Sequence, residues 1–84
     1  MKHGIYTVRD EPSEAFMALQ LHQFDDLAIR AFDFAMSTND LMKFRPEDFS
    51  LWYLGVYDDQ TGLIDPASPK VIKRGVKRSG RSSV

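Results

Sequence analysis

The 84-residue sequence contains no cysteine. Neither a disulfide framework nor a thiolate metal site can therefore compensate for a small core, so packing or self-association must supply the stability. No apolar run approaches the roughly 20 residues that a membrane span needs, and residues 1–6 lack the apolar segment of a secretory signal. A chain this short has room for one small domain, and we expect it in the cytoplasm of the cell that makes it.

Motifs for catalysis and for metal or cofactor binding are also missing. The two histidines, His3 and His22, have no partner at the spacing of a metal site or a catalytic triad. The sequence has no glycine-rich phosphate loop, no nucleophile elbow and no HExxH helix. Asp58 and Asp59 stand just before Gly62, which is typical of a solvated hairpin tip rather than of an acid/base pair. We therefore expect no enzymatic activity, no metal and no cofactor.

The net charge of −1 conceals a strong asymmetry along the chain. Residues 1–69 carry a formal charge of −7, whereas residues 70–84 carry +6 and contain no acid. Because a block of like charge mixed with glycine and serine is too polar to fold alone, we expect a folded domain over residues 1–69. Residues 70–84 are predicted to form a flexible, disordered basic tail.

The six cations of this tail are the predicted nucleic-acid-binding residues. They are Lys70, Lys73, Arg74, Lys77, Arg78 and Arg81. Such a run can pair with the phosphates of any nucleic acid and release condensed counterions, but it carries no code for reading bases. Three other interpretations stay open: a merely solubilising terminus, a contact of the tail with the acidic body of the same chain, and an incidental similarity to a nuclear-localisation signal.

The N-terminal half of the chain predicts a strand, an ambiguous segment and a long helix. Residues 4–9 are rich in β-branched and aromatic side chains and run into a breaker cluster, which favours a strand and a turn. Residues 14–21 fit either a helix capped by Ser13 or an extended segment. Residues 25–36 predict the main helix, which two acidic residues begin and residues 37–39 end.

The main helix carries an apolar arc of about 200°, wider than a helix on one sheet needs. We expect Phe32 to be buried within this arc. The excess width favours a second cover on the helix, either residues 17–21 or another copy of the chain in a homodimer.

The second half predicts one helical turn and a hairpin. Proline followed by two acids at residues 46–48 suits a single turn. Residues 49–57 carry large apolar groups on both faces, which is typical of a central strand. Residues 58–62 read as a turn, after which Leu63 and Ile64 form a short returning strand that Asp65 and Pro66 end. The fold class is therefore α+β, with one main helix packed on a small antiparallel sheet.

Most of the aromatic side chains are expected in the core, since they supply most of the hydrophobic mass of so small a domain. The rings that could serve either as core groups or as stacking surfaces for nucleic-acid bases are Tyr6, Phe16, Phe32, Phe34, Phe49, Trp52, Tyr53 and Tyr57. Trp52 and Tyr53 point to opposite faces of one strand, so they are the best candidates for stacking on nucleic-acid bases.

Several blocks of the sequence, taken in order, resemble the small nonstructural proteins of microviruses, especially the gokushovirus branch of single-stranded DNA bacteriophages. The blocks are residues 6–10, 14–16, 28–32, 39–40, 46–51 and 55–62. Where those relatives carry a Pro-Phe-rich stretch, this chain has residues 17–21, and the segment from Lys70 onward matches no pattern of the family.

The resemblance implies a phage nonstructural protein that binds DNA, single-stranded rather than duplex, in the cytoplasm of a host bacterium. It further implies a role in the switch from duplex replication to single-strand genome synthesis and packaging. It assigns no catalytic residue. The alternative function is a protein-interaction module that docks onto the phage replication initiator or a host factor.

Overall fold

The computed structural model describes residues 1–76, so the predicted tail residues Lys77, Arg78 and Arg81 lie outside the described part of the chain. The strands are β1 (Lys2–Asp10), β2 (Ala15–Phe16), β3 (Gln20–His22), β4 (Phe49–Asp58) and β5 (Ile64–Arg74). The helices are α1 (Asp25–Thr38) and α2 (Asp40–Phe44), and one 3-10 turn covers Pro46–Asp48. The predicted α+β class, with a main helix and an antiparallel sheet, is confirmed.

The strands form one antiparallel sheet in the order β2-β1-β4-β5, and β3 also pairs with β1. β4 lies between β1 and β5, which confirms its predicted central position. β5 forms the opposite edge from β2 and β3. The chain therefore reaches its basic C-terminal segment along an edge strand.

The core lies between one face of the sheet and the helices. Its buried members are Tyr6, Val8, Ala28, Phe32, Met42, Phe49 and Leu51. Phe32 is only 3% exposed, as the sequence predicts. Two members of the predicted arc are exposed instead: Leu27 and Phe34 of α1 are 38% and 68% exposed. The sheet and α2 pack against α1, but no element among the described residues covers Leu27 and Phe34.

The junction between the two helices depends on Asn39. Its side-chain oxygen accepts hydrogen bonds from the backbone N–H groups of Leu41 and Met42, both at 3.1 Å. Asn39 thus ends α1 and caps α2, a helix that the sequence did not predict. The turn predicted at residues 46–48 is confirmed.

The ambiguous segment at residues 14–21 forms no helix, because it contains the strand Ala15–Phe16 and the start of the strand Gln20–His22, so the helical alternative is wrong. The backbone N–H of Met17 donates to the carbonyl of Val8 at 2.8 Å, and the buried hydroxyl of Thr7 donates to the Met17 carbonyl at 2.9 Å. The edge of β1 therefore supplies the backbone partners that a helix would otherwise have found within itself.

The prediction that the returning strand ends at Asp65 and Pro66 is also wrong, because β5 continues to Arg74. Proline is tolerated on an edge strand, because it has no backbone N–H and the outer side of an edge strand has no neighbour that needs a donor. Gly55 faces Pro66 at a register irregularity and has φ +147. A Cβ at Gly55 would lie 2.4 Å from the Asp65 carbonyl oxygen, so the close approach of the strands requires glycine there.

The predicted boundary between the folded domain and the tail, drawn before Lys70, moves toward the C-terminus for the same reason. Residues 70–74, predicted as the start of a flexible tail, are the last five residues of β5. Pairing with β4 gives the backbone of residues 70–74 its hydrogen-bond partners. Composition and charge alone do not reveal this pairing. The predicted disorder of residues 77–84 lies outside the described residues.

Candidate nucleic-acid interface

Three of the six predicted nucleic-acid-binding residues lie on the edge strand β5: Lys70, Lys73 and Arg74. Lys73 is opposite Leu51 of the core face, and Arg74 is opposite Ser50 of the other face. Neighbouring side chains of a strand point to opposite faces. The end of β5 therefore presents cations on both sides of the sheet.

On the helix side, Lys73 is paired with an acid of α1. Its Nζ donates to both oxygens of the Asp33 carboxylate, at 2.9 and 3.0 Å. The two side chains are 40% and 52% exposed, so water screens the pair and it contributes little to stability. One predicted phosphate contact is thus occupied by the acidic body in the free protein.

On the opposite face, Arg74 lies near Glu11, with an Nη1 to Oε2 distance of 3.9 Å. The same carboxylate accepts hydrogen bonds from the Ser50 hydroxyl at 2.8 Å and from Arg9 Nε at 3.1 Å. These contacts, that of Ser50 first, lower the pKa of Glu11. Glu11 therefore remains a charged partner for Arg74 at neutral pH.

Lys70 borders an open cleft of about 630 Å³ at the N-terminal end of α1. Lys2 also lines it, but so do the carboxylates of Asp25 and Asp26. The Tyr6 hydroxyl donates to Asp25 at 2.5 Å, and its burial, followed by Asp25, raises the pKa of Tyr6 well above its ordinary value. Because cations and acids balance in this cleft, it offers no concentrated anion site.

A second cleft, of about 540 Å³, lies where β5 ends beside α1 and α2. Three cations line it: Lys43, Lys73 and Arg74. Asp33 is the one acid among its lining residues. This is where the described part of the chain gathers cations with the least opposing charge.

Lys43 is a residue that the sequence analysis missed as a candidate for the interface. It belongs to the acidic block of residues 1–69, and 29 positions separate it from Lys73 along the chain. The capped helix α2 brings Lys43 to the end of β5. Because that helix was not predicted, no pattern in the sequence could place Lys43 there.

The two candidate stacking rings are both engaged within the fold. Trp52 lies edge-on to Phe16, with ring centroids 5.6 Å apart, and its N–H donates to Ser50 at 2.8 Å. Tyr53 packs edge-on to Tyr6 at 5.6 Å and borders the core. Both rings are half-buried, so the sequence-based choice of stacking platforms gains no support from their surroundings.

The most exposed aromatic side chains are four phenylalanines rather than Trp52 and Tyr53. Phe16 and Phe34, both expected in the core, are 43% and 68% exposed. Phe24 and Phe44 are 65% and 78% exposed, and neither was singled out from the sequence. Phe34 and Phe44 lie on the helices, whereas Phe16 lies on the edge strand β2 and Phe24 precedes α1.

The predicted hairpin tip forms an ionic cluster at the far end of the sheet. The Asp59 carboxylate accepts from the N-terminal ammonium at 2.7 Å and pairs with His3 Nε2 at 2.9 Å. These groups, the ammonium first, lower the pKa of Asp59. Over residues 1–76, no group of three or more histidine or acidic side chains is placed to hold a metal ion.

Comparison with known proteins adds one match. A family model described as Phage ORF5 protein matches residues 3–78, nearly the whole chain. The match includes Lys70 and four of the five cations that follow it, which the blocks quoted from the sequence did not reach. No curated protein and no solved structure matches the chain. Neither helix in the described range is long and apolar enough to cross a membrane.

Proposed function

Because the chain belongs to the Phage ORF5 protein family, we propose that it is a non-enzymatic DNA-binding protein of a bacteriophage. The observation that carries the proposal is the cationic run from Lys70 to Arg81, which contains six basic residues and no acid. Its first three members lie on an edge strand, where side chains on both faces are accessible to a ligand. Phosphate neutralisation by such a run supports binding without base specificity.

Single-stranded DNA is the favoured ligand. Proteins that read duplex DNA commonly place a helix in the major groove, with cations contacting the backbone beside it. The long helix α1 carries one basic residue, Arg30, against Asp25, Asp26 and Asp33. This acidic helix opposes insertion into a groove, whereas a flexible single strand can follow the edge of the sheet at β5.

The biological setting follows from the resemblance to microvirus nonstructural proteins. In the host bacterial cytoplasm, the protein would bind the emerging genome strand during the switch from duplex replication to single-strand synthesis and packaging. The acidic body, at −7 over residues 1–69, keeps nonspecific affinity moderate. A protein of this kind would cover a strand and release it again during packaging.

The direct test is binding to a fluorescently labelled 20-nucleotide deoxythymidine strand, followed by anisotropy at about 0.1 M salt. A duplex of the same length serves as the comparison. We expect micromolar or tighter binding, with the single strand preferred. Absence of binding to both nucleic acids would reject the proposal.

A protein-interaction module is the second candidate, favoured by the exposed apolar side chains of the helices. Leu27 and Phe34 lie seven residues apart and therefore on one face of α1, and α2 adds Leu41 and Phe44. Partners would be the phage replication initiator, a host factor or a second copy of the chain. Co-purification of a protein partner without oligonucleotide binding would favour this candidate.

A further inference from the structure

The cleft at the end of β5 has the features of a binding site for a DNA phosphate. Lys43 comes from α2, while Lys73 and Arg74 come from β5, so two separate elements converge on one opening. The residues that line the cleft include one acid, Asp33. The Arg74 side chain points to the opposite face, beside Glu11, so Lys43 and Lys73 are the cations that face Asp33 in the cleft. Two cations against one carboxylate leave a local excess of positive charge on a body that is acidic overall.

The floor of the cleft is apolar, with Phe32, Met36 and Pro46 among its lining residues. Phe32 and Pro46 are buried and Met36 is half-buried. A DNA strand alternates charged phosphates with the largely apolar faces of its sugars. Cations at the rim and an apolar floor suit both components of that strand.

The end of β5 is fixed in position at this cleft. The Gly75 N–H donates to the Phe49 carbonyl at 2.8 Å, and a Cβ at Gly75 would collide with the Pro46 carbonyl oxygen. Val76, the last residue that the structure describes, also lines the cleft.

We propose that this cleft binds a phosphate of the DNA backbone through Lys43 and Lys73, and that Asp33 is the internal counter-ion that the phosphate displaces. The inference rests on the proposed function. The Lys73–Asp33 pair is solvent-exposed on both sides, so exchanging the carboxylate for a phosphate costs little. Asp33 then acts as a competitor that weakens DNA binding through Lys73.

The test measures the affinity of single-site variants for the labelled deoxythymidine 20-mer as a function of salt. Lys43→Gln and Lys73→Gln should each weaken binding about fivefold at 0.1 M salt and reduce the magnitude of the logarithmic salt slope by about 0.7. Lys2→Gln removes the same charge far from the cleft and is the matched control, for which we expect a smaller loss. Thermal melts check that each variant remains folded.

Removal of the competitor should have the opposite effect. We expect Asp33→Asn to strengthen binding several-fold, and more than the matched control Asp26→Asn at the other end of α1. In a protein that also carries Lys73→Gln, the gain in affinity from Asp33→Asn should fall to that of the control, because Asp33 no longer has Lys73 to pair with. If the wild-type protein binds the strand and the variants Lys43→Gln and Asp33→Asn bind it with the same affinity, the proposed phosphate site is overturned and the proposed function stands. Failure of the wild-type protein to bind the strand would overturn both.

Discussion

Lys73 of the edge strand β5 donates two hydrogen bonds to the carboxylate of Asp33 on α1, at 2.9 and 3.0 Å. The contact ties the basic C-terminal segment to the acidic body of the same chain. Two interpretations of the basic segment, nucleic-acid binding and contact with the body, are therefore physically linked. A DNA strand that binds at β5 must compete with an acid that the fold itself provides.

Phe32 and Phe34 provide a test of the orientation of α1, since they are 3% and 68% exposed. Phe32→Ala should lower the free energy of unfolding by about 3 to 5 kcal/mol, because it leaves a cavity in a small core. Phe34→Ala removes the same ring from the surface and should cost less than about 1 kcal/mol. Thermal and urea unfolding of the two variants would decide it, and equal losses would contradict the assigned helix orientation.

The extent of β5 determines where the chain can be shortened. Deletion of residues 77–84 should leave the melting temperature nearly unchanged, because residues 1–76 supply every strand and core residue in the part of the chain that the structure describes. Deletion of residues 70–84 removes Ile72, which packs against the core, and the β5 residues paired with Ser50 to Tyr53. We expect the variant that lacks residues 70–84 to unfold or aggregate. Equal melting temperatures for the two truncations would show that the end of β5 is dispensable.

Much of the fold follows from local patterns, and the failures have identifiable causes. Residues 25–36 and 49–57 show helical and strand periodicity strongly enough to predict α1 and β4. Residues 14–21 are ambiguous in the sequence because their conformation depends on pairing with the edge of β1, and the local pattern does not report that contact. Pro66 predicts the end of a strand, because the sequence does not reveal that β5 is an edge strand, on which proline is tolerated.

The candidate site was only half accessible to sequence reasoning. The charge asymmetry identifies Lys70, Lys73 and Arg74 directly, since they fall in a run without acids. Their partners Asp33 and Glu11, and the neighbouring cation Lys43, come from other elements. Tertiary folding brings these residues together, so no spacing along the chain reports their proximity.

The buried hydroxyl of Tyr6 predicts a loss of stability in alkali. Its pKa is raised in the fold, whereas an unfolded tyrosine has a pKa of about 10. The stabilisation is therefore fully present below about pH 10 and is lost as the pH rises through the higher folded-state pKa. Tyr6→Phe should be about 1 kcal/mol less stable at neutral pH, yet fall less between about pH 9 and pH 11. Parallel pH profiles from urea unfolding would contradict this expectation.

The exposed apolar residues of the helices predict self-association. A double variant, Phe34→Ser with Phe44→Ser, removes two rings that are 68% and 78% exposed. We expect the wild-type chain to sediment as a dimer at micromolar concentration and the variant as a monomer with a similar melting temperature. A wild-type chain that stays monomeric at every concentration would contradict self-association through this surface.

The most direct test of DNA binding by the basic segment is the salt dependence of binding to the deoxythymidine 20-mer. Six phosphate contacts give a logarithmic slope of about −4, and Lys43 as a seventh brings it to about −5. Deletion of residues 77–84 removes Lys77, Arg78 and Arg81 and should reduce the magnitude of the slope by about 2. A steep slope in the full chain that becomes shallower by this amount is the expected result. A slope that the deletion leaves unchanged, or no binding at about 50 mM salt, would contradict it.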